Sequence, residues 1–175
     1  MKQYANRLLR AAKLDPQLYE EVESDKSATF QAGLTVVLVS LAAGFSEFNS
    51  GILGVLTHSL VAILGWILWA FLSFFIGTKL LPERQTQSNL GELLRCTGFA
   101  FTPGILQIFG LIPGLGPSLR VLTSIWMLAA FVIAVRQALD YNSTWRAFGV
   151  CLIGWLVLTA MNVLLWIISL GQFTL

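Results

Sequence analysis

Apolar residues fall into five blocks, at about residues 28–45, 52–81, 96–112, 118–138 and 145–170, with short polar interruptions between them. A helix needs about 20 apolar residues to cross a hydrocarbon core of about 30 Å. The pattern therefore predicts an all-α integral membrane bundle of five transmembrane helices. The first block is just long enough. The second would extend about 45 Å as a helix, so it must tilt or project beyond the core. Lys79 near its end can snorkel to the surface, and Pro82 stops it. Trp145 and Trp166 bracket the fifth block about 31 Å apart along a helix, which suits an aromatic residue at each interface.

The third block is short and interrupted. Asn89 followed by Glu92 has the pattern of a capping box, so a helix should start at Leu90. Pro103 lacks an N–H and its ring crowds the preceding turn, so a kink or break is expected there. Gly104 adds to the interruption. The corner that follows holds Pro113, Gly114, Gly116 and Pro117 and is expected to be non-helical. A discontinuous helix of this kind is either a packing device or a binding site, because broken helices can expose backbone groups to a solute.

Residues 1–27 are polar and form a separate N-terminal segment. Residues 2–14 fit a short amphipathic helix with Arg7, Arg10 and Lys13 on one flank. Two readings follow. The helix lies on an anionic membrane face, or it packs on the rest of the protein. Asp15-Pro16 is a cap residue followed by a proline suited to the first helical position, so a second short helix should span about 16–23. No apolar core of signal-peptide type occurs in this segment, which is expected to stay on the protein at the cytoplasmic side.

Composition supports the membrane reading. Hydrophobic residues make up 56% and charged residues 11%, against about 25% charged in soluble domains. A net charge of +2 gives no argument for nucleic acid. With the N-terminus inside and five crossings, ten of the eleven Lys and Arg residues fall on the inner side and only Arg120 falls outside. That is the bias expected of short inner loops, and it puts the C-terminus on the opposite side. If the third block is re-entrant, four segments cross and nine of the eleven are inside. Charge alone hardly separates the two.

Catalytic signatures such as HExxH, GxSxG, CxxC and a Walker A loop are missing, and the two cysteines, Cys96 and Cys151, have no metal spacing. No enzyme activity, cofactor or metal is implied. Three polar residues interrupt the apolar blocks: His58, Gln107 and Asn162. Intramembrane polar residues are costly without partners. These three are expected either to converge on a polar site or to hydrogen-bond between helices. Glu92, Arg95, Arg136, Asp140 and Arg146 should gather at the inner surface, pairing with headgroups or docking a partner. Ala130, Ala134 and Ala138 repeat every four residues, a stripe that lets helices pack closely.

Four stretches together resemble the Yip1-domain family of small membrane proteins: LYEEVESD at 18–25, GFAFTPGIL at 98–106, LIPGLG at 111–116, and Trp126 followed by VRQALDYNSTWRA at 135–147. The resemblance implies five transmembrane helices and a cytoplasmic N-terminus. Eukaryotic relatives carry a longer N-terminal region and associate with Rab-type GTPases, so GTPase binding is suggested here by family analogy only. The short N-terminal segment resembles the prokaryotic members, which implies a bacterial inner (plasma) membrane. The expected role is association with membrane lipids, other membrane proteins or a second copy, in membrane organisation or a trafficking-like process. The alternative is a small transporter or channel component built on the broken third helix.

Overall fold

The structure is a computed structural model that describes residues 2–45 and 51–172, with the side chains of His58, Asn162 and residues 164–172 outside the described set. All regular elements among the described residues are helical. Two short helices come first, α1 (Lys2–Ala12) and α2 (Pro16–Ser24). Four long ones follow: α3 (Ala28–Phe45), α4 (Gly51–Phe75), α6 (Gly116–Ala138) and α7 (Thr144–Gln172). Between α4 and α6 lie α5 (Leu90–Ala100) and a 3₁₀ helix (Thr102–Leu111). Among the described residues, four stretches are long and apolar enough to cross a membrane: Ala28–Phe45, Gly51–Leu80, Gly116–Ala138 and Thr144–Met161.

Local chemistry sets the helix ends. Asp15 is extended and its side chain accepts from Gln17 N at 3.0 Å, with Pro16 opening α2. Leu14, at φ 60°, ends α1 and turns the chain between the two short helices. Asn89 and Glu92 form a complete capping box at the start of α5. The last turn of α4 widens into a π-helix over Ile76–Leu80 just before Pro82.

The third apolar block is two elements. Pro103 cannot donate to Phe99 O, and the Thr102 hydroxyl donates to that oxygen instead, at 2.7 Å. Phe101 N donates to Gly98 O and Gly104 N to Phe101 O, which is three-residue spacing. The 3₁₀ ladder then persists for ten residues, far beyond the usual three or four. The corner is only partly irregular. Pro113 and Gly114 form the turn, with Gly114 at φ 86°. Gly116 and Pro117, expected in a non-helical corner, instead open α6. A proline in the first turn of a helix costs nothing, since the N–H it lacks would have no partner there.

The core lies where α5, the 3₁₀ helix and α6 meet α2 and α3. Ala130, Ala134 and Ala138 are all fully buried, as are Leu93, Cys96 and Phe99 of α5. Outward-facing residues on α4 and α7 are large and apolar, including Leu53, Leu60, Trp155 and Leu156. That is the surface a membrane requires.

Candidate functional site

The N-terminal pair α1–α2 is docked on the bundle, against α5, α6 and the 3₁₀ helix. Arg7 is the hub of that docking. It is 2% exposed. Its Nε and Nη2 donate to Glu21 Oε1 at 2.9 and 2.8 Å, Nη2 also to Asp25 at 2.7 Å, and Nη1 to Gln31 of α3 at 3.0 Å. Arg10 completes the set by bridging Asp15 and Glu21. Two of the three basic residues on the flank of α1 are thus paired within the protein, and the helix packs on the fold. Asp25, hydrogen-bonded by the Ser27 hydroxyl and by Arg7, is held down at a pKa of about 2.

Arg95 fastens α2 from beneath. It is 6% exposed. Its Nε donates to Val22 O at 2.9 Å and its Nη2 to Glu23 O. These are carbonyls at the end of α2, where a helix has acceptors without intrahelical partners. A cation there also complements the negative end of the helix dipole. Tyr4 reaches Thr35 by a 3.0 Å hydrogen bond and meets the edge of Phe99.

The five residues expected to gather at one inner surface each make local hydrogen bonds of their own. Glu92 is spent on the capping box with Asn89. Arg95 serves α2. Arg136 donates from Nε to Tyr141 O, while Asp140 adopts φ 54° and its carbonyl accepts from Gln85. Arg146 donates to Pro82 O and lies 3.6 Å from Glu83. Glu83 in turn accepts from the backbone of Asn142 and Ser143, tying the 82–89 linker to the loop before α7.

Tyr141 completes that junction. Its hydroxyl lies 2.9 Å from Gly77 O and 2.7 Å from Leu81 O. A π-helical turn leaves carbonyls out of register with the ladder, and the single phenolic hydrogen is shared between one carbonyl of that turn, Gly77, and that of its cap residue, Leu81. Nothing in the sequence flags Tyr141 for this, because the π-turn is not legible there. The role of Glu83 and the inward pairing of Arg7 are illegible for a related reason: the Asn142 partner of Glu83 is 59 residues away, and those of Arg7 are 14 to 24.

Of the polar trio, the side chains of His58 and Asn162 lie outside the described residues. The expected convergence of the three therefore lies outside the described residues. Gln107 is 8% exposed and donates to the Thr123 hydroxyl at 3.0 Å, across the 3₁₀ helix and α6. Thr123 passes its own hydrogen back to Leu119 O. Gln107 is thus satisfied by a neighbouring helix.

The break itself is filled. Pro103 and Gly104 are buried. A Cβ on Gly104 would come within 2.5 Å of Val39 Cγ1 and 2.8 Å of Met127 Sδ, and one on Gly98 within 2.7 Å of the Ala32 Cβ. Beside the break is an apolar pocket of about 490 Å³, bounded by Trp69, Phe101, Met127, Phe131, Cys151 and Trp155 among others. Among the described residues no group of three or more His, Cys, Asp or Glu side chains is arranged to hold a metal.

A family model described as Yip1 domain matches residues 21–167. No curated protein and no solved structure matches the chain.

Proposed function

The chain belongs to the Yip1-domain family, and from that premise we propose that it is a non-enzymatic integral membrane protein acting by association with lipids, other membrane proteins or a second copy of itself. The observation that carries this reading is the filled helix break. Gly98 and Gly104 are pressed against Ala32, Val39 and Met127, and the carbonyl that Pro103 leaves free is covered by Thr102. A transporter reading needs backbone acceptors open to a watery cavity at this point. The neighbouring pocket is apolar and suits a hydrocarbon chain better than a hydrated solute.

Five crossings remain the preferred topology. At about 1.5 and 2.0 Å per residue, α5 and the 3₁₀ helix extend about 16 and about 20 Å. Placed end to end they match a hydrocarbon core of about 30 Å. The N-terminus is then cytoplasmic and the C-terminus on the opposite side, with the bacterial inner membrane as the setting. Trafficking-like membrane organisation fits this reading, and GTPase binding would rest on family analogy alone.

Purification in a gentle detergent, with mass spectrometry of co-purifying proteins and lipids, tests the proposal. Reproducible lipid or protein partners support it. A protein that emerges alone, and that moves a solute across reconstituted vesicles, sinks it.

A further inference from the structure

We propose that the seat of the α1–α2 pair is a proton-controlled clamp, set by the charge of Glu23 against the carboxylates of Asp140, Glu92 and Glu20. Glu23 lies one residue before the end of α2. It shares a polar pocket of about 580 Å³ with Glu20 of α2, Arg136 and Gln137 of α6, and Asp140 of the loop after α6. Glu92 of α5 adds a third negative neighbour.

The cations nearby make their hydrogen bonds to acceptors other than the Glu23 carboxylate. Arg95 of α5 spends its donors on the Val22 and Glu23 carbonyls rather than on the Glu23 carboxylate. Arg136 is bonded to Tyr141 O. Arg7 and Arg10 of α1 face Glu21, Asp25 and Asp15 on other sides of α2. Arg146, bonded to Pro82 O, pairs with Glu83. Gln137 holds Glu20 at 2.7 Å but brings no charge. The charged lining of the pocket is therefore three carboxylates, Glu20, Glu23 and Asp140, against one guanidinium, Arg136, and the interface closes a half-buried carboxyl in a pocket with an excess of negative charge. Burial first, then Asp140, Glu92 and Glu20, raise its pKa to about 7, with Arg95 pulling the other way.

The sign follows from linkage. Released from the bundle, Glu23 returns toward an ordinary carboxyl value of about 4.3. Between that value and about 7 the docked state holds a proton that the released state lacks. Docking therefore weakens as pH rises through this window, by at most about tenfold per pH unit, and levels off above it. Asp15, Glu21 and Asp25 are all shifted downward, so they titrate below the window with the opposite sign.

Cys96 is a native reporter. It is fully buried, with its thiol directed at Tyr19 O of α2 at 3.4 Å, so lifting α2 uncovers it. The full-length protein, in a Cys151→Ser background and reconstituted in vesicles, is labelled with a thiol reagent at pH 5 to 7.5. Dividing by the rate of Glu23→Gln at each pH cancels the ionisation of the thiol itself. The ratio of the Glu23 protein to Glu23→Gln is expected to be several-fold at pH 5 and to rise by at least a further tenfold at pH 7.5. Asp140→Asn, which keeps a residue tolerant of positive φ, is expected to slow labelling at pH 7.5 and leave it unchanged at pH 5. A ratio that stays flat across this range overturns the clamp. So does an Asp140→Asn protein that matches the parent at every pH, a result that stands even if Glu23→Gln fails to fold.

Discussion

The indole nitrogen of Trp126 lies 2.9 Å from the carbonyl oxygen of Ala12 and donates to it. The two residues are 114 positions apart. Ala12 ends α1, so this carbonyl is one that the helix itself cannot satisfy. Trp126 lies well within α6. The N-terminal helix is thus pinned to a long apolar helix rather than resting loosely beside it. Together with Arg7 and Arg95, this contact makes residues 2–24 part of the folded bundle.

Trp126→Phe keeps an aromatic ring but removes the donor, leaving the Ala12 carbonyl without a partner. The expected cost is about 1 kcal/mol. It should appear as faster amide exchange across α1 by mass spectrometry, with α7 unchanged. Equal acceleration in both helices would mean that the substitution loosens the whole bundle and that the pin is not local.

Gly98 and Gly104 set how closely the third block approaches its neighbours. Helix propensity alone would favour Gly98→Ala by about 1 kcal/mol. Here the added methyl meets the Ala32 Cβ at 2.7 Å and the Ala32 backbone at 3.1 Å, with no flexible group to yield. Overpacking of this kind costs about 1–3 kcal/mol, so the net effect is a lower midpoint of thermal unfolding in detergent. Gly65 is the internal control, because a methyl added there would meet nothing within 4 Å. Gly65→Ala should leave the midpoint unchanged or raise it.

How far the sequence carries is clear from particular residues. The alanine stripe of α6, the Asp15-Pro16 start of α2 and the Asn89–Glu92 box depend on neighbours within four residues, and all are present in the fold. The interruption around Pro103 is equally local in origin. What fills it is not, since Val39 and Met127 come from other helices. Arg7 reads in the sequence as one of three surface cations, because its acceptors lie across a hairpin whose docking no local pattern specifies. Gly116 and Pro117 mislead for the opposite reason. Two helix breakers side by side look irregular, yet the start of a helix accepts both.

Tyr141→Phe removes the hydroxyl that covers Gly77 O and Leu81 O. The one hydrogen that these two carbonyls share is then lost, at an expected cost of about 1–3 kcal/mol. The loss should be concentrated at the junction of α4, the 82–89 linker and the loop before α7. Protease sensitivity of that linker in vesicles is the measurement. A linker that remains as resistant as in the parent protein would show that Glu83 alone holds the junction.

Acidification should release the N-terminal pair at its other face. Asp25 has a pKa of about 2, lowered first by its hydrogen bond from the Ser27 hydroxyl and next by Arg7. An unpaired aspartate titrates near 3.9. A depressed carboxyl contributes stability that is complete above its unfolded value and disappears as pH falls through the folded one. Docking of α1–α2 should therefore weaken between about pH 4 and pH 2, assisted by Asp15 and Glu21, whose values are also lowered. Amide exchange of α1 relative to α6, compared at pH 5 and pH 2.5 with intrinsic rates removed, reads the effect. Asp25→Asn should be looser already at pH 5 and lose less on acidification. If the variant loses as much as the parent protein, Asp25 is not a source of the acid sensitivity and the Arg7 network holds through Glu21 alone.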